Sequence, residues 1–138
     1  MSEPSLFDLV GGEAGVSAIV ESFYARVEAD PDIRPLYPAD LEPGKAKLKL
    51  FFIQWLGGPT GYSDRYGHPR LRRRHFPFVI EEKHAGRWLH HMRHAFHENN
   101  VPVEAETVIF ERLAPLAHHM VNAHEDVPRE PLGDVRLA

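Results

Sequence analysis

The chain of 138 residues has no cysteine, no long apolar run and no excess of positive charge. The absence of cysteine excludes disulfides and thiolate metal sites. No apolar stretch approaches the ~20 residues that span a bilayer, and the first residues lack the basic and apolar regions of a secretory signal. We therefore expect a cytoplasmic protein without a membrane partner. The net charge of -4 also disfavours a general nucleic-acid binder, because such proteins are usually basic.

Alternating strand patterns and internal repeats are also missing, and the apolar residues recur at helical spacing instead. The clearest stripe runs from Val16 to Val27. Breaks at glycine, proline and asparagine separate the helices, with a long polar loop expected over residues 59–70. The pattern predicts an all-α fold in one domain spanning residues 1–124. Residues 125–138 carry prolines and few apolar side chains, so we expect an extended or disordered tail outside the fold.

Histidine is abundant, with ten residues, and one of them occupies an unusual segment. His75 follows three arginines and precedes Phe76-Pro77-Phe78. Because Pro77 cannot continue a helix, the imidazole of His75 is held at a helix terminus between cations and aromatic rings. Taken alone, such a histidine is more often a cap or a surface residue. The combination suits haem, whose iron takes an axial imidazole, whose ring packs on aromatics and whose propionates pair with arginine.

Several short blocks of residues follow one another with consistent spacing between residues 5 and 124. They are Leu9 to Gly12, Phe23-Tyr24, Leu36 to Pro38, Phe52 to Pro59, Gly67 to Leu71, Arg74 to Phe78, Trp88, and His119 to Asn122. Together they resemble the truncated haemoglobins, and within that family the second group. The resemblance implies a shortened, two-over-two globin domain over residues 1–124, in which two helix pairs sandwich haem b.

The resemblance also implies roles for individual residues. His75 would be the proximal iron ligand, and Tyr24, Tyr37 and Trp88 would donate hydrogen bonds to the ligand on the distal side. The other residues expected around the haem are Phe23, Gly44, Lys47, Leu48, Phe51, Phe52, Arg74, Phe78 and Met92, with Trp88 itself also touching the cofactor.

Two positions expected to face the distal pocket, Gly44 and Leu48, offer no side-chain donor, so the hydroxyls and the indole must serve the bound ligand. Each such bond contributes ~1.5–3 kcal/mol in an apolar pocket. The sequence therefore predicts tight oxygen retention and redox use of oxygen, peroxide or nitric oxide rather than oxygen delivery. A peroxidase-like or nitric oxide dioxygenase activity would need an unidentified reductase. A monomer and a homodimer both fit.

Other interpretations remain open from the sequence. A haem-based gas sensor would act through a partner that binds this domain. A helical zinc protein would use His90 and His94, whose i, i+4 spacing suits zinc, although no further ligands are evident. Buried tyrosine and tryptophan side chains are also common in ordinary cores. The arginines from Arg70 to Arg74 are, apart from Arg74, best interpreted as a solvated surface.

Overall fold

The computed structural model describes residues 4–130, and within that range it contains helices and no β-strand. The helices are α1 (Leu6–Leu9), α2 (Gly12–Ala29), a 3₁₀ helix (Arg34–Leu36), α3 (Glu42–Trp55), α4 (Gly61–Tyr66), α5 (Leu71–His75), α6 (Glu82–Glu98) and α7 (Val103–His119). The prediction of an all-α fold is confirmed. Over the same residues, no helix combines the length and the apolar character that crossing a bilayer requires.

The first helix begins at a capping box. The Ser5 hydroxyl accepts the Asp8 N–H at 3.1 Å, and the Asp8 carboxylate accepts the Ser5 N–H at 3.3 Å. The connection from α1 to α2 requires glycine at two positions. Gly11 has a φ of 102°, and a Cβ on Gly15 would lie 1.9 Å from the Val10 carbonyl oxygen. This close approach lets α1 pack against α2.

Two helix pairs form the body of the fold, because α2 packs against α3 and α6 packs against α7. The pairs meet where α2 contacts α6. The apolar stripe of α2 faces this contact, and Phe23 and Val27 on it are excluded from solvent. From α6, Met92, Ala95 and Phe96 enter the same core. The helical spacing of apolar residues thus places the two pairs face to face, as the two-over-two arrangement requires.

The prediction of an irregular loop over residues 59–70 is wrong, because α4 lies within it. Tertiary contacts stabilise this short helix. Tyr62 is buried with its ring centroid 5.6 Å from that of Phe51. The Gln54 side chain accepts the Ser63 N–H at 2.8 Å and donates to the Ser63 hydroxyl at 2.7 Å. Local sequence alone carries little helical signal here, so the docking on α3 decides the conformation.

Beyond α7 the chain runs alongside α5. Residues 125–130 contain no helix, and the side chain of Arg129 contacts the backbone that follows His75. The expectation that the chain leaves the fold at residue 125 stays a prediction. Residues 131–138, which belong to the same expected tail, lie outside the described residues.

Candidate functional site

One cavity opens between the helix pairs. Its wall is mostly aliphatic and aromatic. The lining residues are Ile33, Leu36, Tyr37, Leu48, Phe51, Phe52, Leu71, His75, Ile80, His84, Ala85, Trp88, Leu113, Leu116, Ala117 and Met120.

His75 reaches this cavity from the last position of α5 and is 9% exposed. Its Nδ1 lies 2.6 Å from the Leu71 carbonyl oxygen, which makes Nδ1 the protonated nitrogen. Burial lowers the pKa of His75, the Leu71 carbonyl opposes that shift, and the nearby charge of Lys47 adds to it. The ring is therefore neutral, with the lone pair of Nε2 available. A neutral imidazole oriented through its other nitrogen is the usual form of a histidine metal ligand.

Trp88, Tyr37 and Tyr24 form a connected group of aromatic donors. The Trp88 side chain adjoins the Tyr37 hydroxyl and opposes the rise in its pKa. The rings of Tyr37 and Tyr24 meet edge to face with centroids 5.8 Å apart. Arg34 fixes the segment that carries Tyr37, because its guanidinium donates to the carbonyls of Tyr37 and Pro38 at 3.1 and 3.0 Å. The three donors predicted from the sequence are thus brought together.

The Tyr24 hydroxyl lacks a hydrogen-bond partner among the described residues although the side chain is 1% exposed. A buried hydroxyl without a partner is costly, so such a group usually awaits a ligand or water. Burial raises the pKa of Tyr24 and of Tyr37 above that of an ordinary tyrosine, with the Tyr24 charge adding to the shift at Tyr37. Both hydroxyls therefore stay protonated at neutral pH and remain donors.

Other predicted haem contacts divide into two sets. Leu48, Phe51 and Phe52 lie on the cavity wall. A second layer lies outside the lining residues, where Phe23 and Met92 are fully buried and the Phe23 ring centroid is 5.3 Å from that of Trp88.

The remaining predicted contacts are Gly44, Lys47, Arg74 and Phe78. Gly44 and Lys47 are buried on α3, and the Lys47 ammonium lies 4.6 Å from the ring centroid of Tyr66. The Arg74 guanidinium donates to the Pro69 carbonyl at 2.9 Å. Phe78 is partly buried against the core. Their proximity to the cofactor stays a prediction.

Several lining residues were not predicted. Leu113, Leu116 and Met120 lie on the apolar stripe of α7, and that stripe was the signal that could have identified them. His84 was harder to predict as a lining residue, because its place as the third residue of α6 was its only signal in the sequence. Its Nδ1 accepts the Glu81 N–H at 2.9 Å, which leaves the proton on Nε2. His84 therefore adds a further N–H donor to the cavity wall.

The histidines proposed as zinc ligands are close together. The ring centroids of His90 and His94 are 4.6 Å apart. Within residues 4–130, however, no three metal-ligating side chains are grouped so that they could hold an ion. Zinc takes four protein ligands in structural sites and three in catalytic ones, so this pair alone gives the zinc interpretation no support.

The fold and the cavity define a class of protein. A neutral buried imidazole, an apolar slot and an unpaired tyrosine hydroxyl fit a flat apolar group that carries a metal, and a helical sandwich around such a group is the globin arrangement. The bacterial-like globin family matches residues 5–122. The chain belongs to that family.

Similar proteins narrow the class. The chain is 41% identical over 114 residues to the group 2 truncated hemoglobin YjbI of Bacillus subtilis (strain 168), covering 83% of this chain and 86% of that protein. The solved hemoglobin of Chloroflexus aurantiacus is 50% identical with a TM-score of 0.83, covering 87% of this chain and 99% of that one. The truncated oxygen-avid haemoglobin of Bacillus subtilis is 39% identical with a TM-score of 0.82, covering 86% and 100% respectively.

These findings confirm the predicted family and the two-over-two globin fold. They also confirm haem b as the cofactor, since the relatives are truncated haemoglobins. The chain is therefore a haem protein that binds oxygen.

Proposed function

We propose that this protein retains oxygen tightly and uses it in redox chemistry with nitric oxide or peroxide, rather than delivering it. One observation carries the proposal. Three protonated donors lie close together in the buried interior, Tyr37 and Trp88 on the cavity wall and Tyr24 beside Tyr37, and the Tyr24 hydroxyl has no protein partner among residues 4–130.

His75 would hold the cofactor through Nε2, because the Leu71 carbonyl already engages Nδ1. Phe51, Phe52 and Trp88 would pack on the macrocycle. Lys47, close enough to His75 to lower its pKa, and Arg74, adjacent in sequence, would pair with the propionates. When bound, haem supplies reversible binding of diatomic ligands and one-electron exchange. The protein residues decide how long a ligand stays and what reaches it.

The donors act on charge that develops on the bound diatomic ligand. Hydrogen bonds to a charged acceptor contribute about 1.5–3 kcal/mol each, and the apolar wall keeps water from competing with them. The Bacillus subtilis relative described as oxygen-avid supports the same expectation for this chain. A ligand that leaves slowly is poorly suited to delivery but remains available to a second reactant.

A stopped-flow comparison tests the proposal. Oxygen-loaded protein is mixed with nitric oxide, ferric protein is mixed with hydrogen peroxide, and the oxygen off-rate is measured separately. We expect slow oxygen release and at least one reaction that consumes the ligand faster than it dissociates. If oxygen dissociates faster than either reaction proceeds, the protein suits delivery and the redox proposal fails. Turnover would also require a reductase, which stays a prediction, as do the cytoplasmic location and the oligomeric state.

A further inference from the structure

The turn that follows His75 leaves carbonyl groups without helical partners. Helix α5 ends at His75, and Pro77 has no N–H, so the helical hydrogen bonds cannot continue. The His75 carbonyl accepts the Phe78 N–H at 3.0 Å and the Asn122 side-chain amide at 3.3 Å. The carbonyls of Phe76 and Phe78 accept from Arg129 instead, at 3.0 and 3.3 Å.

Arg129 binds more than this turn. Its Nη1 also donates to Asn122 Oδ1 at 2.8 Å, and its Nη2 donates to the carbonyls of Asn122 and Glu125 at 3.0 and 3.3 Å. A planar guanidinium can serve acceptors in several directions at once, which the single ammonium of lysine cannot do with the same geometry. Its positive charge also lies at the C-terminal end of α5, where the helix dipole favours a cation.

Asn122 connects this arrangement to the far end of the turn. It is 1% exposed, its Oδ1 accepts the Ile80 N–H at 3.1 Å, and its own N–H donates to the Ile80 carbonyl at 2.9 Å. Arg129 and Asn122 therefore hold the backbone from His75 to Ile80 at both ends. Both of these end residues line the cavity.

We propose that Arg129 is a positioning residue for His75, acting through the carbonyls of the Phe76–Phe78 turn and through Asn122. The inference rests on the proposed role of His75 as the iron ligand. The family match ends at residue 122, so Arg129 belongs to a segment that the family pattern does not include. This C-terminal segment thus sets the orientation and the retention of the proximal ligand from outside the matched globin domain.

Substitution of Arg129 in the full-length haem-loaded protein tests the inference. Arg129→Ala removes every side-chain donor, and Arg129→Lys keeps the positive charge but not the planar guanidinium. Arg112→Ala is the matched control, because Arg112 is an exposed arginine on α7. The iron–histidine stretching band of the ferrous protein is recorded by resonance Raman. The rate of haem transfer to an excess of a haem-scavenging apoprotein is measured in parallel.

We expect Arg129→Ala to shift or broaden the iron–histidine band and to speed haem loss about tenfold, the equivalent of one charge-assisted hydrogen bond. Arg129→Lys should restore little of either property, whereas Arg112→Ala should match the parent. Hydrogen exchange of the apoprotein should show faster exchange at Phe78 and Ile80 in Arg129→Ala. An unchanged band and an unchanged haem-loss rate would overturn the inference, even if exchange became faster, since Arg129 would then be a structural contact only.

Two truncations separate Arg129 from the rest of the tail. A chain that ends at Glu130 retains Arg129, and a chain that ends at Pro128 removes it. The inference expects the first to behave as the parent and the second to behave as Arg129→Ala. Equal behaviour of both would overturn it. A failure of the proposed ligand role of His75 would be visible elsewhere, because His75→Gly would then keep its haem spectrum without added imidazole.

Discussion

Two histidines, His75 and His84, line the cavity, and they differ in which nitrogen carries the proton. In His75 the Leu71 carbonyl engages a protonated Nδ1, which leaves the lone pair on Nε2, whereas in His84 the proton is on Nε2. His75→Gly removes that ligand and leaves space for a free imidazole. We expect the variant to lose stable haem and to regain the spectrum when imidazole is added, as measured by the Soret absorbance. His124→Gly, at an exposed position, is the control and should bind haem normally. A full Soret band in His75→Gly without imidazole would contradict the assignment.

The distal donors can be removed while an aromatic ring is kept at each position. Trp88→Phe keeps an aromatic ring and removes the N–H, so we expect oxygen release to speed by about one to two decades. Flash photolysis or stopped-flow measurement of the oxygen off-rate provides the check. Trp55→Phe is the matched control, since Trp55 stacks on Phe51 outside the lining residues.

Because Trp88 adjoins the Tyr37 hydroxyl and the Tyr37 ring contacts that of Tyr24, the effects of removing these donors should not add. The triple variant with Tyr24→Phe and Tyr37→Phe should release oxygen faster than any single variant, but by less than the product of the three effects. An off-rate in the triple variant equal to that of the parent would show that these donors do not hold the ligand. The redox proposal would then lose its physical basis.

At the scale of helices, residues with a periodic signal were predictable and residues placed by tertiary contact were not. The stripe from Val16 to Val27 predicted α2, and Ser5 predicted the start of α1. Helix α4 was missed because its stability comes from docking on α3 through Tyr62. The α7 cavity wall was missed for a related reason. Its residues look like ordinary core positions until the facing helix pair leaves a gap.

A charged contact joins the end of α2 to α6. The Asp30 carboxylate lies 2.6 Å from Nε2 of His91 and 3.2 Å from Nε of Arg87, and it is 6% exposed. The hydrogen bond from His91 lowers the pKa of Asp30 against the opposing effect of burial. A carboxyl whose pKa is lower in the folded chain stabilises the fold above its unfolded pKa of ~3.9, and that stabilisation is lost as the pH falls through the folded pKa.

Asp30→Asn should therefore lower the free energy of unfolding at neutral pH, by about 1–3 kcal/mol for the charge-assisted bonds it removes. The difference from the parent should shrink as the pH falls below about 4, where the parent carboxyl becomes protonated. Urea unfolding at several pH values measures this difference in the free energy of unfolding. Asp32→Asn is the control, because the Asp32 carboxylate pairs with Arg87 at 3.1 Å but is half exposed. A difference that is independent of pH would show that the Asp30 charge is not responsible.

At the scale of the whole molecule, the cavity couples cofactor binding to folding. Helices α3, α5, α6 and α7 all contribute to its wall, so each depends on what fills it. The side chains that line this apolar cavity have few partner atoms when the cofactor is removed. The sequence predicted a set of haem contacts, which stay predictions, but the dependence of the helix sandwich on haem follows only from the assembled wall.

The apoprotein should accordingly unfold at a lower temperature and a lower urea concentration than the haem-loaded protein. A ligand present at 1,000 times its dissociation constant stabilises the folded state by about 4 kcal/mol, and haem held by His75 and the apolar wall should reach at least that value. Differential scanning calorimetry measures the difference in unfolding temperature between the two forms. This difference should be smaller in His75→Gly, because the haem is then held more weakly. Arg112→Ala should leave it unchanged. If the two forms of the parent unfold together, the cavity wall is stable without its cofactor, and the helix pairs do not depend on haem for their packing.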